Sequence, residues 1–135
     1  MSKIDTTQWK DYAIADLFEI KKGTRLTRAN MKDGDIRYIG ASTFNNGITA
    51  QISNDEHLHP ANSISVSYNG SVGEAFYQDE PFWASDDVNV LYPKFQLTRN
   101  IALFIIPIIK QIGKQYAFID KWKKEDMERD MLKLP

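Results

Sequence analysis

Cysteine is absent from this chain. That excludes a disulfide framework, a thiolate metal site and a cysteine nucleophile, and with no leader-like start it fits a cytoplasmic protein. Histidine occurs only twice, at His57 and His59. Long hydrophobic runs are missing too. The longest, residues 101–109, is interrupted by Pro107 and falls short of the roughly 20 apolar residues that span a bilayer, so no membrane partner is expected. There is no internal repeat, no low-complexity segment and no Pro/Gly/Ser linker to mark a domain boundary. A large excess of one charge is lacking as well: the net charge is −1, which argues against wrapping nucleic acid by bulk electrostatics.

What is present fits one domain. A hydrophobic fraction of 42% with 12% aromatics over 135 residues is enough for a core of its own. Charge is unevenly spread. Between Tyr38 and Pro93 there is no lysine or arginine, while Asp55, Glu56, Glu74, Asp79, Glu80, Asp86 and Asp87 all fall there. Lys21, Lys22, Arg25, Arg28 and Lys32 lie close together with no intervening acid, the arrangement that suits phosphate contacts. A second cationic group near the C-terminus is diluted by acids and reads as a solvated helix face.

Residues 1–8 are polar and patternless and are expected to be loose, with a single domain over residues 9–135. The pattern predicts a strand over 9–14, a helical turn over 15–18 and a strand over 19–22 ending at Gly23. Thr27 is placed to cap a short helix over 28–32, stopped by Asp33-Gly34. Strands are expected over 36–41, 48–52, 63–68 and 73–77, with one or two more over 82–92 before Pro93. Asn45-Asn46-Gly47 and Asn69-Gly70 carry the positive-φ chemistry of tight turns. Residues 63–68 alternate Ile64, Val66 and Tyr68 with serines, the period of a strand with one buried face. Residues 98–113 form a helix apolar on most sides, expected to be buried against the sheet, with Pro107 kinking it or confined to one side and Gly113 at its end. An aromatic segment, 116–122, precedes a charged helix over 123–129. The fold class is α/β in the α+β sense: a twisted, mostly antiparallel sheet flanked by helices.

Catalytic constellations are thin. His57 and His59 beside Asp55 and Glu56 lack the third convergent ligand of a catalytic zinc. Asp86-Asp87, if on a strand, would point to opposite faces. Glu19-Ile20-Lys21 has the E-x-K form of metal-dependent nucleases, with Asp5, Asp11 or Asp16 as the further acid, but so short a pattern arises often by chance. No S-adenosylmethionine loop with a base-flipping motif is present. Readout chemistry fits better: Lys21, Lys22, Thr24, Arg25 and Arg28 for phosphates or guanine, and Ser42, Thr43, Asn45, Asn46, Asn69 and Gln78 for base edges. Phe44 is a further contact for a sugar or a thymine methyl, or a core residue.

Four stretches resemble a target recognition domain of the specificity subunit of type I restriction-modification systems. These are D-L-F-E-I-K-K-G-T-R-L-T at 16–27, Y-I-G-A-S-T-F-N-N-G-I-T at 38–49, the segment 64–94 and L-K-L-P at 132–135. The resemblance runs over residues 9–135 and implies a non-catalytic reader of double-stranded DNA that needs no cofactor or metal. It also implies partners: a methyltransferase subunit, a restriction subunit, and a second specificity half or a second copy of the chain. In that family the last stretch leads into a spacer helix, which is not expected within a sequence ending on Pro135. The rival reading is an interaction module that binds such subunits without reading DNA, its apolar surface formed by Ile119, Trp122, Met127, Met131 and Leu134.

Overall fold

The protein is described by a computed structural model covering residues 8–119 and 121–135; of the loose start expected over residues 1–8, all but Gln8 lies outside it. Strand β1 (Lys10–Ala13) passes through a helical turn, α1 (Ile14–Leu17), into β2 (Phe18–Lys22). Strands β3 (Asp33–Ile39), β4 (Ile48–Ile52), β5 (Ser63–Ser67), β6 (Ala75–Gln78), β7 (Phe82–Ala84) and β8 (Val88–Pro93) follow, then α2 (Arg99–Gly113), α3 (Lys124–Arg129) and β9 (Met131–Leu134).

The single sheet expected from the sequence is instead two sheets and a ribbon. The central sheet has the order β2-β8-β5-β6, the second β4-β3-β7, and β1 pairs with β9. All pairings are antiparallel except β3 with β7, which run parallel. Helix α2 covers one face of the central sheet, where Phe18, Ile20, Ile64, Val66 and Leu91 meet Ala102, Ile105 and Ile109. The second sheet covers the other face, with Ile39, Phe82 and Ala84 against Val88 and Val90. Each of the larger side chains taken from water contributes about 1.5–3 kcal/mol before entropy is counted, and the two alanines less.

This layering corrects the expectation of one buried face on β5. Its serine side lies under the second sheet, leaving Ser63, Ser65 and Ser67 at most 3% exposed. Small hydroxyls fit there because they find acceptors or donors: Ser63 Oγ donates to Pro60 O at 2.9 Å, and Ser65 Oγ accepts from Gln78 Nε2 at 3.2 Å.

Other boundaries differ for local reasons. The helix expected over 28–32 is only a 3-10 turn, Arg28–Asn30, and Thr27 does not cap it. Asn30 Nδ2 donates to Thr27 Oγ1, while Asn54 draws the chain onward by accepting from Lys32 N at 2.9 Å. Asn69-Gly70 does not close a tight hairpin; the β5–β6 connection takes its positive φ at Gly70, Ser71 and Gly73. Asp86 and Asp87 form the β7–β8 turn rather than part of a strand. Strand β9 was not anticipated, because Met131–Leu134 pairs only with the distant β1.

Helix α2 begins at Thr98, whose Oγ1 accepts from Ile101 N at 3.2 Å, and runs through Pro107, which lies on the exposed side. As expected it is buried against the sheet, but on one side only: Ile101, Leu103 and Phe104 are 39%, 52% and 44% exposed. The helical stretch Arg99–Ile119 has 21 residues and a mean hydropathy of 1.2, enough by length and composition alone to cross a membrane; here its Ala102, Ile105 and Ile109 side belongs to the core. Trp122 and Met127, assigned to an apolar surface in the rival reading, are core residues at 0% exposure, whereas Ile119 and Met131 are exposed. Asp130 holds this region together by accepting from Tyr116 OH at 2.8 Å and Trp122 Nε1 at 2.8 Å. Burial and then Asp130 push the Tyr116 phenol up to about 12.

Candidate nucleic-acid interface

The strand pairing brings four connections to one edge of the molecule. Lys22 at the end of β2 lies opposite Asn89 near the start of β8, Ser67 at the end of β5 opposite Val88, and Val66 opposite Ala75 at the start of β6. In the second sheet, Ile39 at the end of β3 lies beside Ala84 and Ile48. The connections after Lys22, after Ile39, after Ser67 and after Ala84 therefore emerge together.

Backbone hydrogen bonds join them. Gly23 N donates to Val88 O and Thr24 N to Ala84 O, both at 2.8 Å; Ser85 N donates to Ile39 O at 2.9 Å and Tyr68 N to Asp87 O at 3.0 Å. Gly23 is required by this approach, since a Cβ there would overlap the Ser85 carbonyl.

A fifth segment reaches the same edge from the helical layer. Trp122 N donates to Tyr68 O at 2.7 Å, Lys121 bridges to Asn69, and Gly113 meets Gly73 so closely that a Cβ on Gly113 would sit 2.7 Å from the Gly73 Cα. The 3-10 segment Lys114–Ile119 thus lies beside the β5–β6 connection. Lys114 and Lys121 were read from the sequence as part of a solvated helix face. The contacts that place them, Gly73 with Gly113, Tyr68 with Trp122 and Asn69 with Lys121, all join residues far apart in the chain.

Of the residues named from the sequence, Lys22, Thr24, Arg25, Ser42, Thr43, Asn45, Asn46 and Asn69 belong to the converging connections. Lys22, Arg25, Thr43, Asn45 and Asn69 are exposed there. Lys21 turns back along β2 into an ion pair with Glu19 at 2.8 Å, which raises the lysine pKa and lowers that of the glutamate. Arg28 is separated from the others. Its segment crosses toward the far end of the second sheet, where Asn54 Nδ2 donates to Asn30 O at 3.0 Å and Ser53 N to Lys32 O at 2.8 Å.

The asparagines divide in role. Asn45 Nδ2 donates to Ile48 O at 3.2 Å within its own turn. Asn46 is turned inward: its side-chain Nδ2 donates to Tyr77 O at 3.1 Å and its backbone carbonyl accepts from Gln78 Nε2 at 3.0 Å, while Gln78, also a base-edge candidate from the sequence, is fully buried behind it and cannot reach DNA. Asn69 Nδ2 donates to Asp87 Oδ1 at 3.0 Å. Both Asn45 and Asn46 have positive φ, 54° and 56°, a region that asparagine tolerates better than most side chains.

Electrostatically the edge has a cationic margin, Lys22, Arg25, Lys114 and Lys121, around the acidic turn Asp86-Asp87. Burial, and then Asp87 and Asp86, raise the pKa of Tyr68, whose hydroxyl donates to Asp86 O. Burial and Asp86 likewise raise that of Tyr38. Both phenols are therefore neutral donors at ordinary pH.

The residues weighed for metal chemistry are engaged in packing. His59 stacks on Phe82 with ring centroids 5.4 Å apart and its Nδ1 lies 2.7 Å from Tyr92 OH, while His57 meets Trp83 edge-on. Of the acids weighed with Glu19, Asp16 accepts from Ala13 N at 2.9 Å and Asp11 lies 3.9 Å from Lys133; Asp5 is outside the described residues. Among the described residues no group of three or more His, Asp or Glu side chains is placed to hold a metal ion.

Comparison with known proteins matches the family described as type I restriction modification DNA specificity domain over residues 6–135. A relative from Heyndrickxia coagulans, the specificity subunit S.BcgI of a type II restriction enzyme, is 37% identical over 128 residues, covering 94% of this chain and 38% of its own. The chain thus spans little more than a third of that relative. A solved type I restriction-modification S subunit from M. genitalium superimposes with a TM-score of 0.76 at 17% identity, over 95% of this chain and 34% of the other. The HsdS subunit from Thermoanaerobacter tengcongensis gives 0.71 at 14% identity, over 98% and 34%. At these identities the likeness shows the fold.

Proposed function

The chain belongs to the type I restriction-modification DNA specificity domain family, and from that premise we propose that it is a sequence-specific reader of double-stranded DNA that gives a methyltransferase and a restriction subunit their target. The observation that carries this reading is the convergence of Lys22, Thr24, Arg25, Ser42, Thr43, Asn45 and Asn69 on one edge. Those residue types supply phosphate contacts and donors and acceptors for base edges. Asn46 acts from behind as a positioning residue. The role is recognition, with methyl transfer and cleavage belonging to partners.

Affinity of the chain alone is low on this reading. A net charge of −1 and few phosphate contacts leave little of the counterion release that drives non-specific binding. Selection from a randomised duplex pool, with and without a methyltransferase subunit, tests the proposal. Enrichment of a short motif, weakened in Arg25→Ala, is expected; failure to enrich any motif in either condition overturns it.

An apolar groove supports docking of a protein partner as a second part of the same role. Tyr12, Leu17, Phe95, Ile101, Phe104 and Leu134 line it, on the helical side of the fold, so a methyltransferase subunit seated there would leave the DNA edge open. Phe104→Glu is expected to abolish capture of the methyltransferase subunit, with a cooperative melting transition showing that the variant is folded. Unchanged capture would overturn the assignment.

A further inference from the structure

The exposed side chains along residues 42–45 include one that cannot hydrogen-bond. Phe44 is 78% exposed, although its backbone, at φ −115° and ψ 163°, is extended and open to every residue type. The turn does not need an aromatic ring there.

That ring is carried on a fixed support. Ser42 Oγ accepts from Phe44 N at 3.1 Å, and Phe44 O accepts from Gly47 N at 2.9 Å. Asn45 then bonds to Ile48 O and Asn46 to Tyr77 O, so the tip is tied on both sides and to the central sheet behind it. A lone apolar residue on a protein surface is ordinary. A ring held among exposed polar side chains by four hydrogen bonds is different, because engaging a ligand there forfeits little further backbone freedom.

Resting on the DNA-reading role proposed above, the geometry points to Phe44 as a specificity-determining contact that packs on the 5-methyl group of a thymine in the major groove. A phenyl ring has no donor or acceptor with which to read the polar pattern of a base edge. Placing it on a phosphate would remove water from a charge with nothing in return. The thymine methyl is the one apolar group that the bases present in the major groove, and the flanking Thr43 and Asn45 can reach polar atoms beside it.

The test uses the complete chain, with its methyltransferase subunit, on the motif it enriches. Each thymine is replaced in turn by deoxyuridine, which removes only the methyl group. One position is expected to lose about fourfold in affinity, the amount that corresponds to one methyl's worth of apolar burial. In Phe44→Ser the same replacement has no effect, Phe44→Leu retains part of it, and melting temperatures are unchanged because the ring is exposed. Equal sensitivity to deoxyuridine in the parent and in Phe44→Ser, or no sensitive thymine, overturns the contact. Increased fluorescence of 2-aminopurine in the motif on binding that is lost in Phe44→Ser would instead mean insertion of the ring between base pairs and would also overturn it; a rise that persists in Phe44→Ser belongs to base flipping by the methyltransferase subunit and leaves the deoxyuridine comparison to decide. Failure to enrich any motif removes the DNA-reading role and this contact together, whereas a motif with neutral thymines removes only the contact.

Discussion

Asn46 and Gln78 clasp each other from both directions: Gln78 Nε2 donates to Asn46 O at 3.0 Å, and Asn46 Nδ2 lies 3.3 Å from Gln78 Oε1. Gln78 is fully buried, so the pair joins the loop carrying Thr43, Phe44 and Asn45 to the middle of the fold. Asn46→Gly keeps the left-handed backbone but deletes the side-chain donor to Tyr77 O and Gln78 Oε1. A loss of about 1–3 kcal/mol is expected in urea unfolding, the usual cost of leaving buried polar groups without partners. The selected DNA motif should also become more degenerate. Unchanged stability would show that the clasp contributes nothing.

His59 makes stability depend on pH. Burial, and then His57, lower its pKa from 6.5 to about 4. The folded state therefore favours the neutral ring, which meets Tyr92 OH at 2.7 Å. Above pH 6.5 neither state is protonated at this residue. Between pH 6.5 and about 4 the unfolded chain binds the proton first, so stability falls as pH falls, and below about 4 this contribution levels off. Allowing for screening by solvent at the ring, the loss is on the order of 1–2 kcal/mol. His59→Gln should flatten the melting profile in that window, and an unchanged slope would assign it to other groups.

The strands were legible where alternation or a turn signal was local. Residues 48–52 and 63–67 lie where period and Asn-Gly chemistry placed them. What escaped were features set by distant partners: the second sheet over the serines of β5, the pairing of β9 with β1, and the arrival of Lys121 beside Asn69 and of Gly113, with Lys114 after it, beside Gly73. Arg28 shows the same limit in reverse. Its nearness in sequence to Lys22 and Arg25 grouped the three, but Asn54 draws the intervening segment to the other end of the sheet.

Asn89 is a built-in weakness of the core. It is 0% exposed, and neither Oδ1 nor Nδ2 finds a partner among the described residues. Its neighbours in register are Lys22 and Val66, on the face of the central sheet that packs under the helices. Asn89→Leu keeps the side chain's approximate shape and removes two polar atoms, and about 1–3 kcal/mol of added stability is expected in urea unfolding. A loss of stability would show that the amide has a partner.

Salt dependence distinguishes the margin of the reading edge from its surroundings. If Lys22, Arg25, Lys114 and Lys121 meet phosphates, each replacement by alanine removes one counterion-releasing contact. The slope of log affinity against log salt should then become shallower by about 1 per substitution. Because such contacts carry no sequence information, affinity should fall on specific and random duplexes alike. Arg28→Ala should leave the slope unchanged, since its segment is anchored at the opposite end of the second sheet by Asn54. Lys21→Ala should do the same, because Lys21 is already paired with Glu19 at 2.8 Å. A shallower slope for Arg28→Ala with none for Lys114→Ala or Lys121→Ala would move the DNA from the converging loops to the outer face of the second sheet.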